Sequence, residues 1–469
     1  MLSDTNINIV ANTYSLQQVW ERKFEVSHYK KPLFRAFSVE KFTPGLEMGA
    51  TFNRQFASDL AVNSMGANGS YSVQAFTNTN ESGVVNIKDE ASYQIVEWQK
   101  MQDHLKSQTK YAEKAANALW LQVDAEALFA MQQAAANYID DAVLNPASGV
   151  AGAPITLGIN NVMPIFTTSI QLFQLANVVY EPNKSLKSDV KLETISDALC
   201  AAVNPQLYTT LLQYIGGKTT VLGDTISRNG HAGLFMGHNL FAGNTLPWEG
   251  VYYGGTGNPS DGDTLTLLSG VTVKGVSQAL TFTFKSALTS PAVAGEVIIG
   301  TALSDTIKNL AAAMNAPYTA IVATATAGFS PFIKTALTTA QIRLLRNLYA
   351  VQTASASLGA VTSASGTYLD LFVKGQGNIP VGNVAATNAA AWGYQCQHLL
   401  FATSQSVSLL MQKEVHVFEN PVSGQVAHDF VFWDLYGVKV FTDQSYQIID
   451  VKINSAAYGA AGSSPAVSF

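Results

Sequence analysis

From Asp103 to Asn145 the chain reads DHLKSQTKYAEKAANALWLQVDAEALFAMQQAAANYIDDAVLN, one unbroken helical pattern. Apolar side chains recur at Leu105, Ala112, Ala116, Leu119, Val123, Ala127, Ala130 and Ala134, in steps of three, four and seven. That spacing puts them on one narrow stripe of a 3.6-residue helix. Asp103 is the expected N-cap and Asn145-Pro146 the expected stop. At ~1.5 Å per residue, about forty residues reach about 60 Å, roughly three times the usual helix length. Ala dominates the stripe and the heptads drift, which argues against a coiled coil.

The segment feeding this helix is extended. Two runs favour strands, Ala50-Thr51-Phe52-Asn53-Arg54-Gln55-Phe56 and Gly83-Val84-Val85-Asn86-Ile87, with Gly-, Asn- and Ser-rich sequence between them. They predict a long two-stranded loop of about fifty residues with no core of its own. Such a ribbon is only marginally stable unless it lies on a partner surface, and its length marks it as a functional projection.

Beyond Asn145 a Gly/Pro loop precedes a shorter predicted helix, Phe166 to Tyr180. Leu192, Ile195, Leu199 and Ala202 predict another, and Asn204-Pro205 opens a third, with Leu207, Leu211 and Ile215 on its stripe and Gly216-Gly217 closing it. The turn-rich run from Tyr253 to Gly262 marks a boundary. After it come alternating strands, then a helix with Leu303, Ile307, Leu310 and Met314 on one face. A further helix is expected over Thr338 to Ala350, then a low-complexity stretch, Ala354 to Ser365, and a strand, Tyr368 to Val373. Residues 256–380 read as an inserted β-rich module. A helix is expected from about Asn388 to Gln412, striped by Trp392, Cys396, Leu399, Thr403, Val407 and Leu410. Three strands, Glu414 to Phe418, Phe430 to Phe441 and Tyr446 to Ile453, close the fold, and the Ala/Gly/Ser-rich tail has little to bury.

Composition narrows the function. Charged residues are 13% of the 469, about half the ordinary share, while the apolar 47% is normal. A surface this weakly charged is poorly protected against self-association, which suits a subunit covered by copies of itself. The net charge of −6 and the absence of a dense Lys/Arg cluster argue against a nucleic-acid grip. The basic residues Arg22, Lys23, Lys30, Lys31 and Arg35 are interrupted by Glu21 and Glu25, and fit a solvated arm. The opening residues show no secretory pattern and no window is apolar enough to span a membrane. The two cysteines, Cys200 and Cys396, make no disulfide framework and are expected to pack as small hydrophobes in a protein folded in a reducing cytoplasm.

Catalytic patterns fail. Gly216-Gly217-Lys218-Thr219 lacks the earlier glycine of a phosphate loop, since Leu212 stands there. Asn258-Pro259-Ser260-Asp261-Gly262 is not a nucleophile elbow, and Asp261 with Asp263 reads as a turn rather than a calcium loop. The seven histidines read as showing neither the four-residue spacing of a helical zinc pair nor nearby cysteines; His231 and His238 share one β segment but lack a carboxylate or Cys at ligand spacing. No enzyme, cofactor or metal is expected.

Val84 to Ile95 runs into the long helix, and Ala115 to Leu128 within it is centred on Val123-Asp124-Ala125-Glu126. Asn204-Pro205-Gln206-Leu207-Tyr208-Thr209-Thr210-Leu211 opens a helix, Gly237 to Pro247 ends in Gly243-Asn244-Thr245-Leu246-Pro247, and Leu435-Tyr436-Gly437-Val438-Lys439-Val440 lies in a closing strand. Taken in order, these stretches resemble the major capsid (coat) proteins of tailed bacteriophages, the Hong Kong 97-like fold. In that family an extended loop runs into a spine helix with a similar pattern within it, and a helix starts with Asn-Pro-x-x-Tyr-x-x-Leu. A strand there ends in Ser-Asn-x-Leu-Pro, with Gly243 here in place of Ser, and a Tyr-Gly-x-x-Val strand closes the fold.

The resemblance implies an α+β fold with an N-terminal arm (1–44), an extended loop (45–100), and a peripheral domain with the spine helix (101–185 and 414–453). It further implies an axial domain (186–255 and 381–413), the inserted β-rich module (256–380) and a flexible C-terminal tail (454–469). It implies hexamers and pentamers tiling an icosahedral virion shell around double-stranded DNA. Portal, scaffolding and decoration proteins are the expected partners, with no membrane and no sequence-specific DNA contact. Phe52, Arg54, Phe56, Val84, Val85, Ile87 and Lys88 are the expected assembly-interface residues. Some relatives cross-link a Lys to an Asn; Lys88 lies near the ribbon's base rather than its tip, so no cross-link is expected here. An encapsulin-type nanocompartment shares the fold, and a phage tail or adhesin protein is a more distant alternative.

Overall fold

The computed structural model describes residues 33–34, 37–40, 51–57, 62–65, 68, 73–75, 78–96, 107–149, 154–176, 199–216, 234–243, 245–253, 258–269, 272–273, 276–277, 279–316, 328–333, 336–338, 341, 348–355, 368–375, 383–386, 392–403, 406–422 and 424–454. Among them two compact units separate: one takes residues 90–119 and 415–433, the other 33–89, 120–414 and 434–454. The fold is α+β, as expected.

In the smaller unit, Leu119, Phe430 and Phe432 form a core with Ala91, Tyr93, Ile95, Ala112, Ala115 and Val415. Period-2 alternation explains the strand's contribution: Ala91, Tyr93 and Ile95 turn inward while Glu90, Ser92 and Gln94 are exposed. Tyr93 lies nearly parallel to Phe430 and Phe432, with ring centroids 5.3 and 5.8 Å away.

The larger unit is built on a nine-stranded mixed sheet. Its main path runs Leu348–Ser355, Tyr368–Gly375, Trp248–Tyr253, Trp392–Ala402, Leu199–Val203, His238–Ala242 and Leu234–Phe235, with Ile448–Asn454 and Asn137–Ile139 joining through Trp392–Ala402. The helices Ile159–Leu175 and Pro205–Gly216 bury Phe166, Phe173, Leu207, Leu211 and Ile215 in the same core as Leu399, Phe401, Ile449 and Val451. A separate four-stranded sheet is Glu296–Ile298, Leu280–Lys285, Thr264–Ser269 and Asn383–Ala386; the helix Leu303–Asn315, with Ile307, Leu310 and Met314 buried as its stripe predicts, lies against Leu348–Ser355 and Glu296–Ile298. Leu348–Ser355 and Tyr368–Gly375, which lie within the range read as an insertion, pair instead in the nine-stranded sheet, the latter against Trp248–Tyr253.

The long helix is Ser107–Ala134, 28 residues, and Leu119, Val123 and Ala127 of the predicted stripe are buried. Asp103 and Leu105 lie outside the described residues. At its other end the helix stops eleven residues before the predicted Asn145. The Ala136 amide donates to the Ser445 carbonyl at 3.1 Å, and Asn137–Ile139 joins Ile448–Asn454 as a parallel strand. Sheet pairing here overrides alanine's helix propensity. Asn145 instead ends the four-residue helix Asp141–Leu144, which Asp140 caps by accepting from the Val143 amide at 3.0 Å.

Three other predicted helices need correction. Leu199–Val203 is a strand buried along its whole length, and Asn388 to Gln412 resolves into the strands Trp392–Ala402 and Val407–Pro421. Leu199–Val203, Leu399–Ala402 and Val407–Met411 are buried on both faces, and steps of three and four arise in such runs without a helix. Over Thr338 to Ala350, Thr338 and Gln341 do exchange capping-box hydrogen bonds, but Leu348–Ser355 is already a strand. Asn204 caps its helix as read, accepting from the Leu207 amide at 2.8 Å. The run Gly83 to Ile87 divides: one strand ends at Val84 and the next starts at Ile87.

Candidate assembly site

Thr51–Ala57 and Asn78–Val84 form an antiparallel two-stranded ribbon, in register from Thr51↔Val84 to Ala57↔Asn78. Pleating sets its two faces. Thr51, Asn53 and Gln55 are exposed, whereas Phe52 and Arg54 turn toward the body. Arg54 and Glu81 sit directly opposite each other in the register. Both reach the start of the helix Thr442–Ser445. Arg54 Nη1 and Nη2 donate to Asp443 Oδ1 and Oδ2 at 2.9 and 2.5 Å, and Glu81 accepts from the Thr442 amide at 3.1 Å and from its hydroxyl. These Thr442 bonds hold the Glu81 carboxyl below its ordinary pKa. An acid at a helix N-terminus also has a favourable dipole.

Phe441, between these contacts and the core, carries Phe52 edge-on at 6.3 Å and the Arg54 guanidinium at 5.2 Å. Phe52 also packs with Val85, Leu410 and Leu435. At Gly437 a Cβ would fall 2.1 Å from the Val84 carbonyl oxygen, so only glycine lets the ribbon base cross this strand. Next to it Tyr436 is fully buried and donates to Asp89 Oδ2 at 3.2 Å. The Tyr-Gly pair therefore has a physical task, which is to seat the ribbon's foot.

Of the expected interface residues, Phe52, Arg54 and Val85 come together on the chain's own body at the ribbon base. Ile87 is half-buried against Phe34 and its neighbours, while Val84 and Lys88 are exposed. Phe56 pairs with Thr79 through its backbone. Farther along, Val62, Met65 and Val73 stand at 101%, 69% and 84% exposure. The sequence reading does not single them out, because their segment carries no periodicity; the signal available was apolar residues amid Gly and Asn.

The N-terminal segment read as a solvated arm has a buried part. Phe34 and Phe37 are fully buried, and the Leu33 and Phe34 amides donate to Asp124 Oδ1 at 2.7 and 2.6 Å. Burial pushes the Asp124 carboxyl up to about 6, against the lowering influence of the Thr245 hydroxyl and the two amides. Gly243, where the resembling pattern has Ser, leaves room for Leu33, whose Cδ1 would meet a Cβ at 2.7 Å.

His238 is buried among Phe166, Phe173 and Phe401, with Nδ1 against the Met236 carbonyl and Nε2 against Ser169 Oγ, both at 3.1 Å. Burial drives its pKa down to about 4. It is a satisfied core histidine. Asp261 and Asp263 accept from the Ser286 and Ser260 amides around Gly262, whose φ of 90° marks a turn, also as read.

One cluster contradicts the reading of the histidines. Cys396 and His398 are two residues apart on a strand, hence on one face, and Cys396 is registered opposite Glu249. The helix assigned to this stretch concealed the pair. His398 Nδ1 meets Asp450 at 2.7 Å, Glu249 accepts from Lys452 Nζ at 3.1 Å, and Gln132 donates to Asp450 at 3.3 Å. Burial opposes the imidazolium, but Asp450 outweighs it and holds His398 well above its ordinary pKa; burial, with the charge of Glu249, raises the Cys396 thiol.

No family model and no curated protein matches the chain. Its likeness is to solved phage structures. One is from Mycobacterium phage Che8, at 9% identity and TM-score 0.47, covering 93% of this chain and 97% of that one. Another is the capsid of cyanophage P-SCSP1u, at 10% and 0.45, covering 94% of each. A third is the mature capsid of bacteriophage PhiM1, at 10% and 0.45, covering 93% and 92%. Among the described residues no helix is long and apolar enough to cross a membrane.

Proposed function

We propose that this chain is a self-assembling shell subunit, the major capsid protein of a tailed phage. It forms hexamers and pentamers that close into an icosahedral head around double-stranded DNA. One observation carries the reading: a ribbon fixed at its foot by Arg54–Asp443, Glu81–Thr442 and the Gly437 crossing, yet holding Val62, Met65 and Val73 in solvent. Exposed apolar side chains on a projection without a core cost solubility unless a partner covers them. A second copy is the partner a weakly charged surface admits, at 13% charged residues.

The foot residues aim the ribbon, and the exposed stretch binds the neighbour. Each contact is modest and breaks easily during error correction, while the closed shell multiplies them. A chain of net charge −6 would hold packaged DNA without gripping it. Portal, scaffolding and decoration proteins are the further partners this role entails, and the virion is its place. Negative-stain microscopy of the purified chain, over a range of concentration and salt, tests the proposal. Closed shells of uniform size are expected; a monomer under every condition would refute it.

A further inference from the structure

We propose that Cys396, His398 and Glu249 form a zinc site inside the nine-stranded sheet, with Cys396 Sγ, His398 Nε2 and a Glu249 carboxylate oxygen as ligands. The three side chains are at most 1% exposed, and their ligand atoms lie within 4.8 Å of one another. They are a mixed thiolate, imidazole and carboxylate set, the chemistry that selects zinc over calcium or magnesium.

Two geometric facts favour a metal over a plain ion cluster. His398 Nε2 is buried, stands 3.5 Å from Glu249 Oε2, and lies on the side of the ring that faces the Cys396 thiol. That separation is long for a hydrogen bond. It is close to the edge of about 3.3 Å that a tetrahedron with bonds of about 2.0 Å requires. Second, Asp450 takes the other ring nitrogen at 2.7 Å, and Gln132 donates to Asp450 in turn. A carboxylate on Nδ1 turns Nε2 into an oriented ligand, the outer support that metal-bound histidines ordinarily have.

The charges also close. Zinc with the Cys396 thiolate, the two carboxylates of Glu249 and Asp450, and the Lys452 ammonium sum to zero around a neutral His398. On binding, the thiol proton and the Nε2 proton leave to solvent. A water completes the fourth corner. Because the ligands are buried, the metal enters while the chain folds, joining the strands Trp248–Tyr253 and Trp392–Ala402.

The full chain, expressed with zinc in the medium and purified without chelator, should carry about one zinc per chain by mass spectrometry of the metal. Cys396→Ser should lose it, while Cys200→Ser, a control at the other buried cysteine, should keep it. Refolding the wild-type chain with cobalt alone should give a thiolate-to-cobalt charge-transfer band, and refolding with magnesium should not. If Cys396→Ser does not fold, the cobalt band of the wild type decides. A wild-type chain without zinc and without that band would overturn the site and leave a closed ion cluster in its place, as would metal retained in Cys396→Ser.

Discussion

Gly437 lies so close under Val84 that a methyl group on it would come within 2.1 Å of the Val84 carbonyl oxygen. The contact is backbone against backbone at the point where the ribbon leaves the body, so neither partner can swing aside. Gly437→Ala should cost about 1–3 kcal/mol in urea unfolding and raise amide exchange along 78–84. Gly83→Ala is the contrast. Its nearest obstacle, Leu410 Cδ1 at 2.6 Å, ends a flexible side chain, so the loss should be smaller. Equal losses would mean the crossing is not the constraint.

Arg54 and Asp443 form a bidentate pair with both side chains about a third exposed. Solvent screening limits such a pair to about 1 kcal/mol at most. Arg54→Ala should leave the global melt nearly unchanged while exchange protection over 51–57 falls, more so in low salt, where the intact pair is strongest. A large loss of global stability would contradict this.

Asp124 and His238 should impose opposite pH slopes. Asp124, raised from 3.8 to about 6, binds its proton more tightly when folded. Its contribution is complete below about 4 and is lost as pH rises through 6. His238, lowered from 6.5 to about 4, contributes fully above 6.5 and loses that as pH falls through 4. Each shift is worth about 3 kcal/mol at most, so between pH 4 and 6 the two nearly cancel. Asp124→Asn should unmask stability that rises with pH, and His238→Gln stability that falls with pH. Urea midpoints at pH 4, 5, 6 and 7 read both; matching slopes would refute the assignment.

Asp124 also has a structural role separable from its charge. In Asp124→Asn the amide oxygen can still accept from the Leu33 and Phe34 amides, so the loss at pH 8 should be small. Asp124→Ala orphans two buried amides and should cost about 2–4 kcal/mol in a chemical-denaturation midpoint. Equal losses in the two variants would show that those bonds carry no weight.

The long helix, the ribbon, the Asn204 cap and the helix at Leu303 were legible because each carries a strong local signal in periodicity or capping. The strand Leu199–Val203 and the Leu399–Ala402 part of Trp392–Ala402 were not, since burial on both faces erases the period-2 alternation that marks a strand. That error had a chemical cost: read as helix, Cys396 and His398 point apart; read as strand, they share a face. The ribbon's foot was partly legible, in Phe52 and Arg54, but their partners Phe441 and Asp443 lie almost four hundred residues away. Only the fold brings them together.

The central claim is that the ribbon's outer stretch binds a second copy. Light scattering on a sizing column, comparing the wild-type chain with Val62→Asp/Met65→Asp/Val73→Asp, tests it most directly. These side chains touch little of their own body, so the variant should keep the wild-type melt yet elute as monomers or small capsomers. Wild-type chain should form shells. Shells of normal size from the variant would contradict the account.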